Sequence, residues 1–175
     1  LSGKDGGLLL SKKMHLVRPK SADDEPPEII DMGMVGEVIG VNPEIIRTLE
    51  AGGFIPVIAP VGAGKSGETY NINADWVACK IALSLKAIKL ILLTDVEGVL
   101  DKDGKLISTT TIPDAEGLLS DGSLSGGMIP KMRCALEAAK GGVNRVHIID
   151  GRKPHAVLLE LFTDRGIGTQ VTDDG

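Results

Sequence analysis

The stretch FIPVIAPVGAGKSGETYNINADW, residues 54–76, decides how the rest of the chain is read. Its centre spells Ala59, four residues, then Gly64-Lys65-Ser66. That is a relaxed version of the loop that cradles phosphates, with Ala in place of the first Gly. A working loop of that kind starts a helix at Gly-Lys-Ser, so that backbone amides and the helix dipole face the anion. Here another Gly, a Thr-Tyr pair and two Asn follow, and helical patterning begins only near Asn73. The stretch is therefore expected to be a hairpin tip around Gly67 and Glu68, and Lys65 a solvated turn residue. FIPVIAPV (residues 54–61) reads as a buried strand before it. NADWVACKIALSLKA (residues 73–87) reads as a helix after it, capped by Asn73 and broken in its apolar surface late on by Lys80 and Ser84.

Working outward, LLLSKKMHLVR (residues 8–18) and EIIDMGMVGEVIGV (28–41) suggest a strand pair, joined by the Pro- and acid-rich loop PKSADDEPP (19–27). Asn42-Pro43-Glu44 is a helix start, and Gly52-Gly53 closes that helix. KLILLTD (89–95) is a continuous apolar run of the kind found in parallel sheets. EGVLDKDGKLISTTTI (97–112) reads as a hairpin or turn around Asp103-Gly104. IPKMRCALEAAKGG (129–142) is a helix, RVHIID (145–150) a strand, PHAVLLELFTDRG (154–166) a helix ending on Gly166, and IGTQV (167–171) a last strand. Alternation of strands and helices from Val41 onward implies an α/β domain with a mainly parallel sheet covered on both faces. The expected organisation is one domain over residues 1–175, with a hairpin and loop region at 1–40 and an alternating α/β lobe at 41–175. In such folds ligands bind beyond the carboxyl ends of the strands.

Composition narrows the function. A net charge of −5 disfavours a nucleic-acid surface, which needs clustered Lys and Arg. No run approaches membrane length and no leader peptide is recognisable. Aromatics at 2% leave the core to Ile, Leu, Val, Ala and Met. The cysteines, Cys79 and Cys134, read as buried apolar residues of a reducing compartment, and no Cys/His cluster suggests a metal site.

Three polar constellations remain. Asn71-x-Asn73-x-Asp75 stands at the entry to the apolar helix; capping explains Asn73 and Asp75, while Asn71 suits a carboxylate-bearing ligand. TDVEGVLD (94–101) leaves the parallel strand at the ligand edge. SGGMIPK (125–131) opens a helix with two glycines and then offers Lys131, a combination suited to phosphate.

YNINAD, LILLTDVEGVL, SGGMIPKM, HIIDGR and LLELFTDRGIGT, in this order, resemble the C-terminal half of the N-acetylglutamate kinase family, and the likeness runs from Leu1 to about Val171. The resemblance implies the amino-acid-kinase fold, a three-layer α/β/α sandwich with its N-terminal part missing. It also implies transfer of the γ-phosphoryl group of ATP to the side-chain carboxylate of N-acetyl-L-glutamate, in arginine biosynthesis. Matched residue by residue, Lys131 would stabilise the transferring phosphoryl and Asp75 would orient catalytic lysines. Asn71 and Asn73 would bind substrate. Thr94, Asp95, Val96, Glu97, Gly98 and Val99, with Ser123, Ser125 and Gly126, would contact ATP, whose Mg²⁺ rides on the phosphates and needs no protein metal cage. Lys89, Glu160 and Gly166 match an L-arginine effector site, whereas His147 and His155 read as structural.

The family's N-terminal half, with a second catalytic Lys, two Gly-Gly loops and a substrate-binding Arg, finds no match here. The chain is thus expected to be the nucleotide-binding portion, with little or no turnover alone. The resemblance further implies a cytoplasmic (or plastid) homo-oligomer when full length, and a PII signalling protein as a partner in some photosynthetic relatives. Three alternatives stay open: a non-catalytic nucleotide-binding or regulatory piece, a phosphate-loop enzyme using Lys65, and another amino-acid kinase of carbamate, aspartate or uridylate type.

Overall fold

The computed structural model describes residues 1–18, 28–163 and 166–173. The chain separates into two compact units, Leu1–Val77 and Ala78–Gly175.

In the first unit, β1 (Leu9–Arg18) and β2 (Glu28–Val41) run antiparallel, with register shifts at Leu10/Ser11 and Lys13/His15. The PKSADDEPP loop lies outside the described residues. Helix α1 (Glu44–Ala51) follows Asn42, whose Oδ1 accepts the Glu44 amide at 3.3 Å. Strands β3 (Val61–Ala63) and β4 (Thr69–Asn71) form an antiparallel hairpin. β3 pairs with β1 and β4 with β2, both in parallel, which closes the four strands into a small barrel. Leu9, Ser11, Tyr70 and Ile72 are buried in this unit.

The expected buried strand at residues 54–61 is corrected here. Only its last residue, Val61, enters a strand. Phe54, Ile55 and Val57 are 65%, 91% and 79% exposed. An apolar run signals that burial would be favourable, but it does not name the surface that buries it.

Helix α2 (Ala74–Leu85) leads into the second unit. That unit holds β5 (Lys89–Thr94), β6 (Thr109–Thr111), α3 (Ile112–Ser120), α4 (Met128–Lys140), β7 (Arg145–Asp150), α5 (Ala156–Phe162) and β8 (Thr169–Thr172). Its sheet runs β5-β7-β8-β6. β5 and β7 are parallel over six register pairs, from Lys89↔Arg145 to Thr94↔Asp150, and β6 and β8 are parallel. β7 and β8 run antiparallel, so two parallel pairs are joined back to back.

Side-chain alternation builds the layers. Val146 and Ile148 of β7 join Leu90 and Leu92 of β5 in one core with Cys79 of α2, Ala115 of α3, and Met132, Cys134 and Ala135 of α4. His147 faces the other way, onto Glu160 of α5. Helices therefore cover both faces of this sheet, as the α/β expectation required, and among the described residues this core contains no aromatic ring.

β5 is parallel to β7 as expected and is an end strand of its sheet among the described residues. Two local readings change. The segment expected to end the hairpin contributes β6 and the start of α3 instead. Thr111 caps α3 by accepting the Asp114 amide, with Pro113 in the first turn. Leu100 and Leu106 do bridge across the turn at Gly104. Finally, α5 stops at Phe162, where Thr163 turns extended, short of Gly166.

Gly168 shows how tightly β7 and β8 approach. A Cβ there would overlap the Ile148 carbonyl oxygen and lie 2.9 Å from the Ile149 Cα. Gly168→Ala is expected to destabilise the chain by roughly 1–3 kcal/mol in urea unfolding. Gly117→Ala, in α3 with open space around it, should be neutral or stabilising by up to about 1 kcal/mol.

Candidate functional site

The Gly64-Lys65-Ser66 segment is the tip of the β3–β4 hairpin. The Gly64 amide donates to the Glu68 carbonyl at 2.9 Å, and the Ser66 amide to the Glu68 carboxylate at 3.0 Å. Glu68 thus occupies the place an anionic ligand would need, and no helix starts there. The hairpin reading holds and the phosphate-loop reading is excluded.

In the second unit the loops that leave β5 and enter α4 enclose a cavity of about 270 Å³. Thr94, Asp95, Val96, Gly98 and Leu100 line one side; Ser123, Leu124, Ser125, Gly127, Met128 and Lys131 line the other. The expected nucleotide residues Thr94, Asp95, Val96, Gly98, Ser123, Ser125 and Lys131 therefore converge. Val99 does not line it: it is fully buried, and its amide donates to Thr169 Oγ1 at 2.8 Å, tying the loop to β8. Glu97 is beside the cavity and does not line it; its carboxylate stands 3.8 Å from Lys153 Nζ. Gly126 sits beside the cavity at φ +53, and Gly127 lines it.

The α4 end of the cavity suits an anion. No side chain caps this helix, and Pro130 removes one amide that would otherwise need a partner. Asp121 organises the preceding loop by accepting the Ser123 amide at 2.9 Å, while Lys102 stands 3.0 Å from its other oxygen. The Ser123 hydroxyl and then Lys102 hold the Asp121 carboxyl down at about 2. The Ser123 hydroxyl is nonetheless buried without a well-aligned hydrogen bond among the described residues. Leu100, Leu124 and Met128 add an apolar wall suited to a ring system. Sequence reading missed this wall and Asp121, although Asp-Gly-Ser is a turn signature that points to such a carboxylate.

Asn71, Asn73 and Asp75 belong to the first unit. Asn71 ends β4, exposed, opposite Val61 and Val35. Asn73 Oδ1 accepts the Asp75 and Trp76 amides at 2.9 and 3.3 Å, so capping of α2 accounts for it.

Glu160 and Gly166 also come together in the second unit. A Cβ on Gly166 would lie 3.2 Å from both Glu160 carboxylate oxygens. Glu160 Oε2 accepts the Ile167 amide at 2.8 Å, and Oε1 stands 2.5 Å from His147 Nδ1. That approach is poorly aligned, leaving both buried ring nitrogens without a directed hydrogen bond. Burial pushes the His147 pKa down, the Glu160 charge opposes this in part, and Lys89 adds to the depression.

The profile of the amino acid kinase family matches residues 6–150. The chain belongs to the amino acid kinase family. Among relatives of this family member, the acetylglutamate kinase of Syntrophobacter fumaroxidans is 60% identical over 171 residues, spanning 98% of this chain and 57% of the relative. That of Stutzerimonas stutzeri is 54% identical, spanning 99% of this chain and 57% of the relative. The chain thus spans little more than half the length of these curated relatives. An N-acetylglutamate synthase from Neisseria gonorrhoeae, solved with coenzyme A and L-arginine, superposes with a TM-score of 0.82 at 28% identity, over 100% of this chain and 38% of that one. A carbamate kinase from Giardia lamblia bound to AMP-PNP shares the fold, with a TM-score of 0.66 at 18% identity, over 91% of this chain and 52% of that one. The family and the α/β amino-acid-kinase-like fold expected from the sequence are both met.

Two outcomes follow for the amino acid kinase chain. Lys65→Ala should leave ATP affinity unchanged in calorimetric titration. Burial holds the His147 pKa in the folded chain below its ordinary value near 6.5, so the unfolded chain binds that proton more readily and stability falls as pH drops below that value. Melting temperature should decline between about pH 7.5 and 5.5, and less steeply in His147→Gln.

Proposed function

We propose that this chain is the ATP-binding portion of an acetylglutamate kinase, which phosphorylates the side-chain carboxylate of N-acetyl-L-glutamate. The observation that carries the proposal is the cavity at the carboxyl end of β5, where Thr94, Asp95, Val96, Gly98, Ser123, Ser125 and Lys131 converge. It occurs in a chain 60% identical to an acetylglutamate kinase.

In the proposed reaction a carboxylate oxygen of the substrate attacks the γ-phosphorus, and the bond to the β–γ bridging oxygen breaks. ADP leaves with that electron pair, and the acyl phosphate forms. The nucleophile is already ionised near neutral pH, so no Ser/His or Cys/His base is needed. Catalysis then rests on positioning and on neutralising charge. Lys131 is assigned to the transferring phosphoryl, with the α4 amides and the Ser123 hydroxyl beside it. The apolar wall of Leu124 and Met128 takes the adenine. Asn71 is assigned to the substrate carboxylate, Asn73 to the same loop, and Asp75 to orienting catalytic lysines.

Mg²⁺ would supply charge neutralisation on the phosphates of ATP. Asp95 is the one carboxylate lining the cavity, beside the hydroxyls of Thr94, Ser123 and Ser125, a donor set that fits a metal held mainly through the nucleotide. L-arginine is a proposed effector at Glu160, Gly166 and Lys89. Support comes from the convergence of Glu160 and Gly166, and from the arginine complex of the synthase from Neisseria gonorrhoeae. Because the chain spans 57% of its relatives, we assign it nucleotide binding with little or no turnover by itself.

Calorimetric titration of the chain with MgATP tests the core of the reading. Lys131→Ala should weaken binding by about tenfold. In the full-length protein the same change should lower kcat by about 10²–10³-fold, followed as acyl phosphate trapped by hydroxylamine. A parent chain that binds no nucleotide would sink the assignment, and a full-length protein that phosphorylates carbamate while ignoring N-acetyl-L-glutamate would overturn the substrate.

A further inference from the structure

A polyanion site that carries Asp95 in its wall and Glu97 on the same loop presents an electrostatic problem. Two carboxylates beside the cavity repel a nucleotide in proportion to its charge. The answer lies on the neighbouring strand. Thr94 and Asp150 are register partners at the carboxyl ends of β5 and β7, and the Gly151 amide donates to the Thr94 carbonyl at 2.8 Å. The Asp-Gly-Arg-Lys segment that leaves β7 is thereby fixed against the start of the nucleotide loop.

Asp150 then aims Arg152. Its side chain is only 4% exposed, and it accepts the Arg152 backbone amide and Nε on one oxygen and Nη2 on the other, each at 2.9 Å. A planar guanidinium gripped this way is pre-organised, and the fork leaves Nη1 outside the pair. Arg152 itself is 63% exposed. Next in the chain, Lys153 Nζ stands 3.8 Å from the Glu97 carboxylate. The guanidinium pKa is raised by Asp150 first and also by Asp95 and Glu97, in keeping with a turn that the Gly151 amide and Lys153 hold against the same loop.

We propose that Arg152, held by Asp150 and seconded by Lys153, is the counter-charge of the nucleotide loop, neutralising Asp95 and Glu97 so that the cavity accepts a polyphosphate. Arg152 is a positioning residue in this role: it acts through the loop carboxylates. The inference rests on the nucleotide reading above and adds what sets the selectivity for highly charged nucleotides.

The test is titration of the chain with AMP and with ATP, both free of Mg²⁺, in low and high salt. Arg152→Gln should weaken ATP by about fivefold at low salt and AMP by about twofold or less, with the difference vanishing as salt screens it. Arg152→Lys keeps the charge and loses the fork, so it should stay close to the parent. Lys153→Gln leaves no buried partner behind and should show the same charge-graded loss at smaller size, which keeps the idea testable if Arg152→Gln fails to fold. Equal weakening of AMP and ATP, or a lysine variant as poor as the glutamine one, would mean that Arg152 only scaffolds the loop. Unchanged affinities in Arg152→Gln and Lys153→Gln would overturn the inference while leaving the nucleotide site standing. A parent chain that binds neither AMP nor ATP would remove the site, and this inference with it.

Discussion

The parallel β5–β7 ladder is the constraint on which the second unit depends. Its six in-register pairs bring Thr94 and Asp150 to the same edge. Parallel strands share a direction, so every loop that leaves them exits on one side. The loop after Thr94 and the Asp-Gly-Arg-Lys turn after Asp150 are neighbours for this reason. A slip of one residue would turn Val146 and Ile148 out of the core and His147 into it. The alternation of apolar positions in RVHIID thus fixes both the packing against α4 and the place of the charged turn.

Around that edge, chemistry is divided between backbone and side chain. The uncapped start of α4 offers amides, Lys131 offers a point charge, and Asp121 spends its carboxylate on shaping the loop. A reaction whose nucleophile is already an anion, as proposed above, would ask for charge compensation, and amides and an ammonium are groups suited to that. His147 and Glu160 show the opposite arrangement: two ionisable groups buried together, with the histidine pressed toward neutrality. Glu160 is already engaged by His147 and the Ile167 amide, so a guanidinium at that position would have to share a carboxylate that holds the β8 approach in place.

Much of this was legible in the sequence because the signals were local. Asn73 declared the start of α2, Asp103-Gly104 declared a turn, and GKS followed by GET declared a hairpin tip. That the loops in TDVEGVL and SGGMIPK belong together was legible through family resemblance as much as through physics, and both line one cavity. What escaped was long-range. Closure of β1 to β4 into a barrel depends on pairings across more than fifty residues, such as Leu10 with Ala63, which no periodicity encodes. Helix α3 escaped for a plainer reason: Thr-x-x-Asp with Pro at the second position is a helix start, and the threonine run before it read as hairpin. Arg152 escaped because a charged residue two positions after a strand is ordinary until Asp150 is seen to be buried beneath it.

Residues 54–60 carry the argument furthest. Their pattern is that of a buried strand, yet Ile55 is 91% exposed and Val57 79%. Burying a side chain of that size is favourable by about 1.5–3 kcal/mol, so leaving several in water forgoes a sum comparable to a sizeable share of a domain's stability. The sequence reading went wrong by merging two separate statements. Periodicity reports what a segment would gain by burial, and the fold reports whether these 175 residues supply the covering surface. They do not among the described residues, while the relatives are longer by nearly half their length. The apolar pattern of residues 54–60 therefore reports a gain from burial that the described residues leave unrealised.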